Sequence, residues 1–520
     1  MQEKLGGGRK KLAATPVYRS PAQLTLVGFE TPFERRLLKS NRWVRLAHLI
    51  PWDRIVPLYD SCFASSEGRP PISGRVVIGA LIIKHIESLS DRATLQHISE
   101  NVYMQYFLGY SSFTDEAPFT APLFVALRKR MNLELTNQIS ELIALSAIAD
   151  EGFDKKEAYD NDSGPAEQSG TSGDENAASQ AQQVQQSEPS PRGRLLMDAT
   201  VAPQDINFPT DLKLLGEARR KSEELIDLLY NATLHGPIKP RTYRQVAQKS
   251  FLNIQKKKVR TRKELHKALG QQLRFLRRNL RHIEKLLEYY EHWPLRPRQY
   301  KYLLVLQTVY EQQHAMHSSR THRVSDRIVS IHQPHVRPMV RGKDRQNVEF
   351  GSKLQMSLVD GFAFVDKLDW NAFNEGTCLQ HSVERYRQRM GCYPAEVLAD
   401  KIYCNRENRK WLKERGIRLV AKPLGRPSAQ AVDNHIRPGQ RNPIEGKFGQ
   451  GKLAYGMNLI RARLKETSES WVACIALVLN LVRLAGKAPF TLIQTIPSIL
   501  KYLFFILQPR NQKFALQRVS

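Results

Sequence analysis

The 520-residue chain predicts a mixed α/β domain that carries a helical insertion and follows an all-α N-terminal region. Three observations point there. Apolar residues recur at helical spacing from Phe33 to Phe63 and again in later runs up to residue 149. Short strand-like runs appear at 194–200 and between 327 and 421, the later ones alternating with helical segments. Between them, 211–325 is dominated by helical pattern. There Leu269, Leu273, Leu276, Leu280, Ile283 and Leu287 alternate spacings of four and three, a seam for helix-on-helix packing.

The chain carries a formal net charge of +28 and a pI near 9.9. That much positive charge calls for a polyanionic partner, most simply double-stranded DNA. A membrane is not expected as partner: the uncharged run Ala488–Leu500 is broken by Pro497 and too short to span. Residues 1–11 are basic without an apolar signal region, so the expected location is cytoplasmic, with the nucleoid. The five cysteines form no C-x-x-C pair, so neither a zinc knuckle nor a disulfide framework is indicated.

In order along the chain, residues 1–30 are expected to be flexible. Residues 31–149 form a helical domain, with Trp43, Leu46, Leu49 and Ile50 opening the first apolar face. Val76–Ile86 and Thr94–Gly109 read as helices flanking a short break, with Ser90 or Asp91 as cap. Such a pair suits a helix-turn-helix DNA-binding unit or an ordinary bundle. Residues 150–193 read as a disordered acidic linker: Asp150–Ser190 holds ten acidic and two basic residues and almost no large apolar ones. The rest of the chain is therefore more basic still than the total.

Residues 194–486 form the α/β domain. The run R-L-L-M-D-A-T (194–200) is an apolar strand bearing Asp198. The insertion 211–325 reads as a long helical hairpin flanked by Lys256, Lys257, Lys258, Arg277 and Arg278. These either contact phosphates or only solvate the helices. Arg327–Val336 and Val348–Leu358 are extended candidates, and Asp360-Gly361 predicts a hairpin turn into Phe362–Leu368. Then follow a helix (Thr377–Met390), a buried strand (Glu396–Asp400), a helix capped by Asn405 and stopped by Gly416, and a strand (Ile417–Ala421). Trp471–Leu484 closes the domain as a buried helix, and 487–520 is a C-terminal helical tail.

Three carboxylates stand out. Asp198 lies on the first strand, Asp400 ends the fourth, and Glu445 opens the R-N-P-I-E-G-K-F-G-Q-G-K stretch. In a mixed sheet the first and fourth strands can be neighbours. Arg441 and Lys452 flank Glu445 at helical spacings, one carboxylate between two cations. Each aspartate has a blander reading as a strand-end cap. Three carboxylates without His or Cys suit Mg²⁺ or Mn²⁺, and two such ions serve phosphodiester displacement. Asp366 and Glu396 are expected to face solvent, Tyr403 either to pack or to touch substrate, and Trp293 and Trp370 to lie in the core rather than stack a base.

The segments L-L-M-D-A-T, V-L-A-D-K-I-Y-C-N-R-E-N-R and R-N-x-I-E-G-K-F-G-x-x-K resemble the DDE transposases of bacterial insertion sequences, the fifth insertion-sequence family above all. R-T-H-R-V-S-D-R-I-V-S-I-x-Q-P-H-V-R-P (320–338) and V-E-F-G-x-K (348–353) extend the resemblance, which runs from about residue 29 to 484. It implies an RNase H-like catalytic domain, a helical N-terminal DNA-binding region and two divalent ions. It also implies Asp198, Asp400 and Glu445 as catalytic metal ligands, cleavage at terminal inverted repeats, and strand transfer by 3′-OH attack. Arg441 and Lys452 would contact phosphates. Related families carry Tyr three residues before that Arg; here it is Pro438, so no Tyr is carried over. A homodimer or larger assembly on paired ends is a further implication. The rival reading is a catalytically inactive, sequence-specific DNA-binding protein, a relic or a repressor.

Overall fold

A computed structural model describes residues 37–62, 71–160, 190–340, 348–421 and 441–486. Residues 1–30, most of the acidic segment, Pro438 and the tail 487–520 lie outside the described residues. The helix Leu133–Asp160 continues into the segment expected to be linker.

Six strands form one mixed sheet: β1 (Arg194–Pro203), β2 (Arg337–Val340), β3 (Val348–Val359), β4 (Phe362–Asp369), β5 (Glu396–Leu398) and β6 (Arg418–Val420). β3 runs antiparallel to β1 on one side; on its other side it pairs with β2 and, further along, with β4. β5 joins β1 in parallel, and β6 joins β5 in parallel. The β3–β4 connection is the expected Asp-Gly turn, with both Asp360 (φ 47°) and Gly361 (φ 79°) left-handed. Gly351 is required by packing: a Cβ there would stand 2.1 Å from the Ala202 carbonyl oxygen on β1.

The expected strand over Arg327–Val336 does not form; strand pairing begins at Arg337. Its apolar residues serve two different cores instead. Ile328 and Ile331 pack into the helical insertion, while Val329 and Val336 pack with Trp370 beside the sheet. An alternation created by two separate burial sites mimicked a strand. The predicted helix Thr94–Gly109 is two helices, Asp91–Glu100 and Val102–Phe107, because Asn101 caps the second by accepting from the Tyr103 and Met104 amides.

The insertion has its own core. Helices Asp211–Leu229, Arg262–Leu287 and Pro297–Ser319 bury Leu215, Leu276, Ile283 and Leu306 against one another. The leucine seam holds: Leu273, Leu276, Leu280 and Ile283 are buried, and Leu269 and Leu287 pack at its ends. Helix Arg262–Leu287 starts with a capping box in which Thr261 and Glu264 bond each other's backbone amides. Arg274, Arg277 and Arg281 are exposed along it.

The N-terminal helices share one hydrophobic core with the sheet. Helix Lys465–Ala485 lies between them, burying Ile475, Val478 and Leu479. Residues of helix Gly74–Ile86, among them Val77 and Ile83, belong to the same core as Leu354 and Met356 of β3. Lys465–Ala485 has the length and apolarity of a membrane span, yet most of it is buried inside the protein as a core helix. Asn480, fully buried on it, stitches the layers. Its side chain accepts from the Ala363 amide (2.7 Å) and donates to the Ala363 carbonyl (2.8 Å) and to Ser140 Oγ (3.1 Å).

Candidate active site

The parallel register of β1 and β5 sets the site. Leu196 pairs with Leu398, so Asp198 and Asp400, each two residues further on, reach the same level on neighbouring chains. Asp198 Oδ1 accepts from the Ala199 amide and Asp400 Oδ1 from the Lys401 amide, both at 2.8 Å. The Asp400 bond caps a short 3-10 turn, Lys401–Tyr403. Asp400 thus has the capping role of its blander reading; Asp198 does not, because β1 runs on past it to Pro203. A side-chain contact joins them as well.

That contact is Arg441. Its Nη2 donates to Asp198 Oδ2 at 2.8 Å, and its Nη1 stands 3.5 Å from Asp400 Oδ1. Arg441 is the N-cap of helix Asn442–Ala454, whose first turn holds Pro443 and Glu445. The helix is continuous in spite of three glycines. Ile444, Phe448, Gly451 and Ala454 are its buried face, and Ser88 Oγ from the N-terminal helices donates to the Ala454 carbonyl at 2.7 Å. Gly446 and Gly449 have open space where a Cβ would stand.

These residues line one open cavity of about 640 Å³. Asp198, Asp400 and Glu445 are in its wall, and so are Arg441 and Lys452. Two charged residues to which sequence reasoning gave no role also line it, Glu375 and Lys353. Lys353 is the last residue of the V-E-F-G-x-K segment; Glu375 stands in no motif, and nothing local marks it. Burial raises the Asp198 carboxyl above its ordinary value, opposed by the Ala199 amide and Arg441 and assisted by the negative charges of Glu375 and Asp400.

The donor set is all oxygen, and no histidine or cysteine is in the described lining, which suits a hard divalent cation. Among the described residues no three His, Cys, Asp or Glu side chains are grouped closely enough to hold a metal ion. The Arg441 guanidinium lies between the two aspartates.

Asp366 does not face solvent: its side chain is fully buried and paired with Arg389 at 3.0 Å, which also holds Glu141 of helix Leu133–Asp160. Glu396 is only partly exposed, between Arg194 and Arg418. Tyr403 packs, fully buried, with its hydroxyl donating to Gln355. Trp370 lies in the core and donates to Glu469. Trp293 does not: it is 56 % exposed and sits edge-on to Tyr300. Lys256, Lys257, Lys258 and Arg277 are exposed on the insertion, whereas Arg278 lies over the Tyr243 ring at 4.6 Å. The insertion residues take no part in the cavity lining.

A mixed sheet with paired carboxylates and flanking cations in one cavity is an arrangement suited to a class of proteins that act on phosphodiesters. Residues 397–482 match the family described as a transposase DDE domain, and residues 31–130 match a second transposase domain family. Both matches are to transposase domains, and they support the resemblance to the DDE transposases of insertion sequences. The chain is also 28 % identical over 213 residues to an uncharacterised protein, ORF8 of the nfe locus of Rhizobium meliloti. That alignment covers 41 % of this chain and 83 % of the relative. No solved structure matches.

Proposed function

We propose that the protein binds the terminal inverted repeats of an insertion sequence and catalyses Mg²⁺-dependent strand cleavage followed by strand transfer. The observation that carries this reading is the bridging of Asp198 and Asp400 by one guanidinium, beside Glu445. Two carboxylates so placed need a cation between them. The strand order β4-β3-β1-β5-β6, three antiparallel strands followed by two parallel to the first, supports an RNase H-like assignment for the sheet.

In this reading Asp198, Asp400 and Glu445 would hold two Mg²⁺ or Mn²⁺ ions once Arg441 has moved aside. The bound ions would supply an acidified water and charge neutralisation at the leaving oxygen. Arg441 and Lys452, at the two ends of one helix, hold the DNA backbone on either side of the scissile phosphate. Arg441 withdraws from the aspartates to do so. Water oxygen attacks phosphorus, the bond to the 3′-oxygen breaks, and the element keeps a 3′-OH. That hydroxyl then attacks a target phosphodiester and releases the target's own 3′-oxygen. The cavity is open, as entry of a duplex requires. The exposed cations of the insertion extend the basic surface beyond it. The protein acts on nucleoid DNA in the cytoplasm, as a homodimer or larger on paired ends.

The test is cleavage of a labelled element end with Mg²⁺ or Mn²⁺, wild type beside Asp400→Asn. Nicked and joined products from wild type, lost in the variant with end binding retained, are expected. Specific binding without any nick under either ion would replace this reading with that of an inactive DNA-binding protein.

A further inference from the structure

We infer that Glu375 is a fourth acidic residue of the same centre, held there by Lys353 and Asn408, and that it shares in cation binding with Asp198. The inference rests on the proposed carboxylate centre and adds a residue to it.

Glu375 opens a short 3-10 turn, Glu375–Cys378, after β4. This turn packs directly on the turn that follows Asp400. A Cβ at Gly376 would stand 2.6 Å from the Ile402 carbonyl oxygen, so only glycine permits the approach. Asn408, 3 % exposed, locks the two turns together: its Nδ2 donates to the Gly376 carbonyl at 2.7 Å and to the Tyr403 carbonyl at 3.0 Å. Asn374 caps the Glu375 turn by accepting from the Gly376 amide at 3.0 Å. Glu375 and Asp400 are therefore presented to the cavity by one rigid double turn.

The carboxylate is aimed by Lys353. That lysine stands on β3, opposite Val201 of β1, two strands from the Asp400 turn. Its Nζ is 2.9 Å from Glu375 Oε1 and donates to the Phe373 carbonyl at 2.8 Å, over the Phe373 ring. Two acceptors and a ring face fix the ammonium. A carboxylate has about four lone-pair sites, and this single ion pair leaves Glu375 with capacity for a further cation. It keeps 23 % of its side chain exposed, in the wall it shares with Asp198.

The experiment is Mn²⁺ binding to the full chain by titration calorimetry, in wild type, Asp198→Asn, Glu375→Gln and Glu375→Asp. DNA binding without metal and thermal unfolding are followed in parallel. Glu375→Gln is expected to weaken Mn²⁺ binding at least about tenfold and to leave metal-free DNA binding intact. Glu375→Asp should fall between, which separates loss of a ligand from loss of the turn. If Asp198→Asn loses Mn²⁺ and Glu375→Gln keeps wild-type affinity, this inference alone is overturned. If neither variant changes Mn²⁺ affinity, the carboxylate centre fails and takes the inference with it.

Discussion

Arg441 neutralises two aspartates that would otherwise repel each other across neighbouring strands. Replacing it with Gln should lower the stability of the metal-free protein by about 1–3 kcal/mol, and Mg²⁺ should restore most of the loss. Thermal unfolding with chelator and with Mg²⁺ checks this; an equal loss under both conditions would show that the contact is not standing in for a cation. Lys447, on the same helix, carries a different strain. Burial, with repulsion from Arg483, lowers its ammonium from 10.5 to about 8. The unfolded chain therefore binds this proton over a pH range in which the folded chain has lost it. The cost is full below about pH 8 and vanishes as pH rises toward 10.5. Lys447→Met should be more stable than wild type at pH 7 by about 2 kcal/mol, with the gain fading in denaturation curves taken at higher pH. Gly446→Ala, with nothing within 4 Å of the new methyl, should add about 1 kcal/mol of helix stability. Urea midpoints would show it.

At the scale of elements, Asn480 is the most consequential side chain outside the cavity. It satisfies both backbone groups of Ala363 on β4 from the middle of a buried helix. Asn480→Leu leaves those groups buried without partners and should cost about 2–4 kcal/mol, read as a lower denaturation midpoint. Elements whose cause is local were legible in the sequence. The Asp-Gly turn, the Asn405 cap, the leucine seam of the insertion and the buried closing helix all stand close to where periodicity and capping put them. What was not legible depends on contacts distant in sequence. Asp366 looked like a solvent-facing strand residue because its partner Arg389, and the Glu141 that shares that guanidinium, come from two other elements. Arg327–Val336 imitated a strand because its apolar residues feed two cores. Glu375 and Asn408 gain their meaning only when two short turns meet. The three carboxylates were singled out by composition and resemblance, while their relation through Arg441 follows from a parallel strand pairing that no local pattern encodes.

At the scale of the molecule, positive charge is spread over the insertion, outside the carboxylate cavity. Changing Lys256, Lys257, Lys258 and Arg277 together to Gln should weaken DNA binding uniformly across sequences. If all four contact phosphates, the logarithmic salt slope should fall by about 3–4; binding isotherms over a salt series measure it. An unchanged slope would assign these residues to solvation alone. The first helices, by contrast, supply one side of the core that the sheet needs. A fragment beginning at residue 190 would expose the face of helix Lys465–Ala485 that Val77 and Ile83 cover. It should be recovered as aggregate rather than as a folded domain, as size-exclusion chromatography would show.

The Ser88–Ala454 hydrogen bond has a consequence for how such proteins diversify. Where a reader and a cutter are beads on a string, ancestry can reshuffle them, and a new address is acquired by splicing in a foreign head. Here the N-terminal segment, residues 31–130, which matches the second transposase domain family, is tied to the far end of the helix that carries Glu445. A borrowed head would have to bring a matching core face, or arrive with the closing helix as well. Lineages built this way are expected to change their destination by drift at exposed positions, one side chain at a time, and to keep both halves from the same parent.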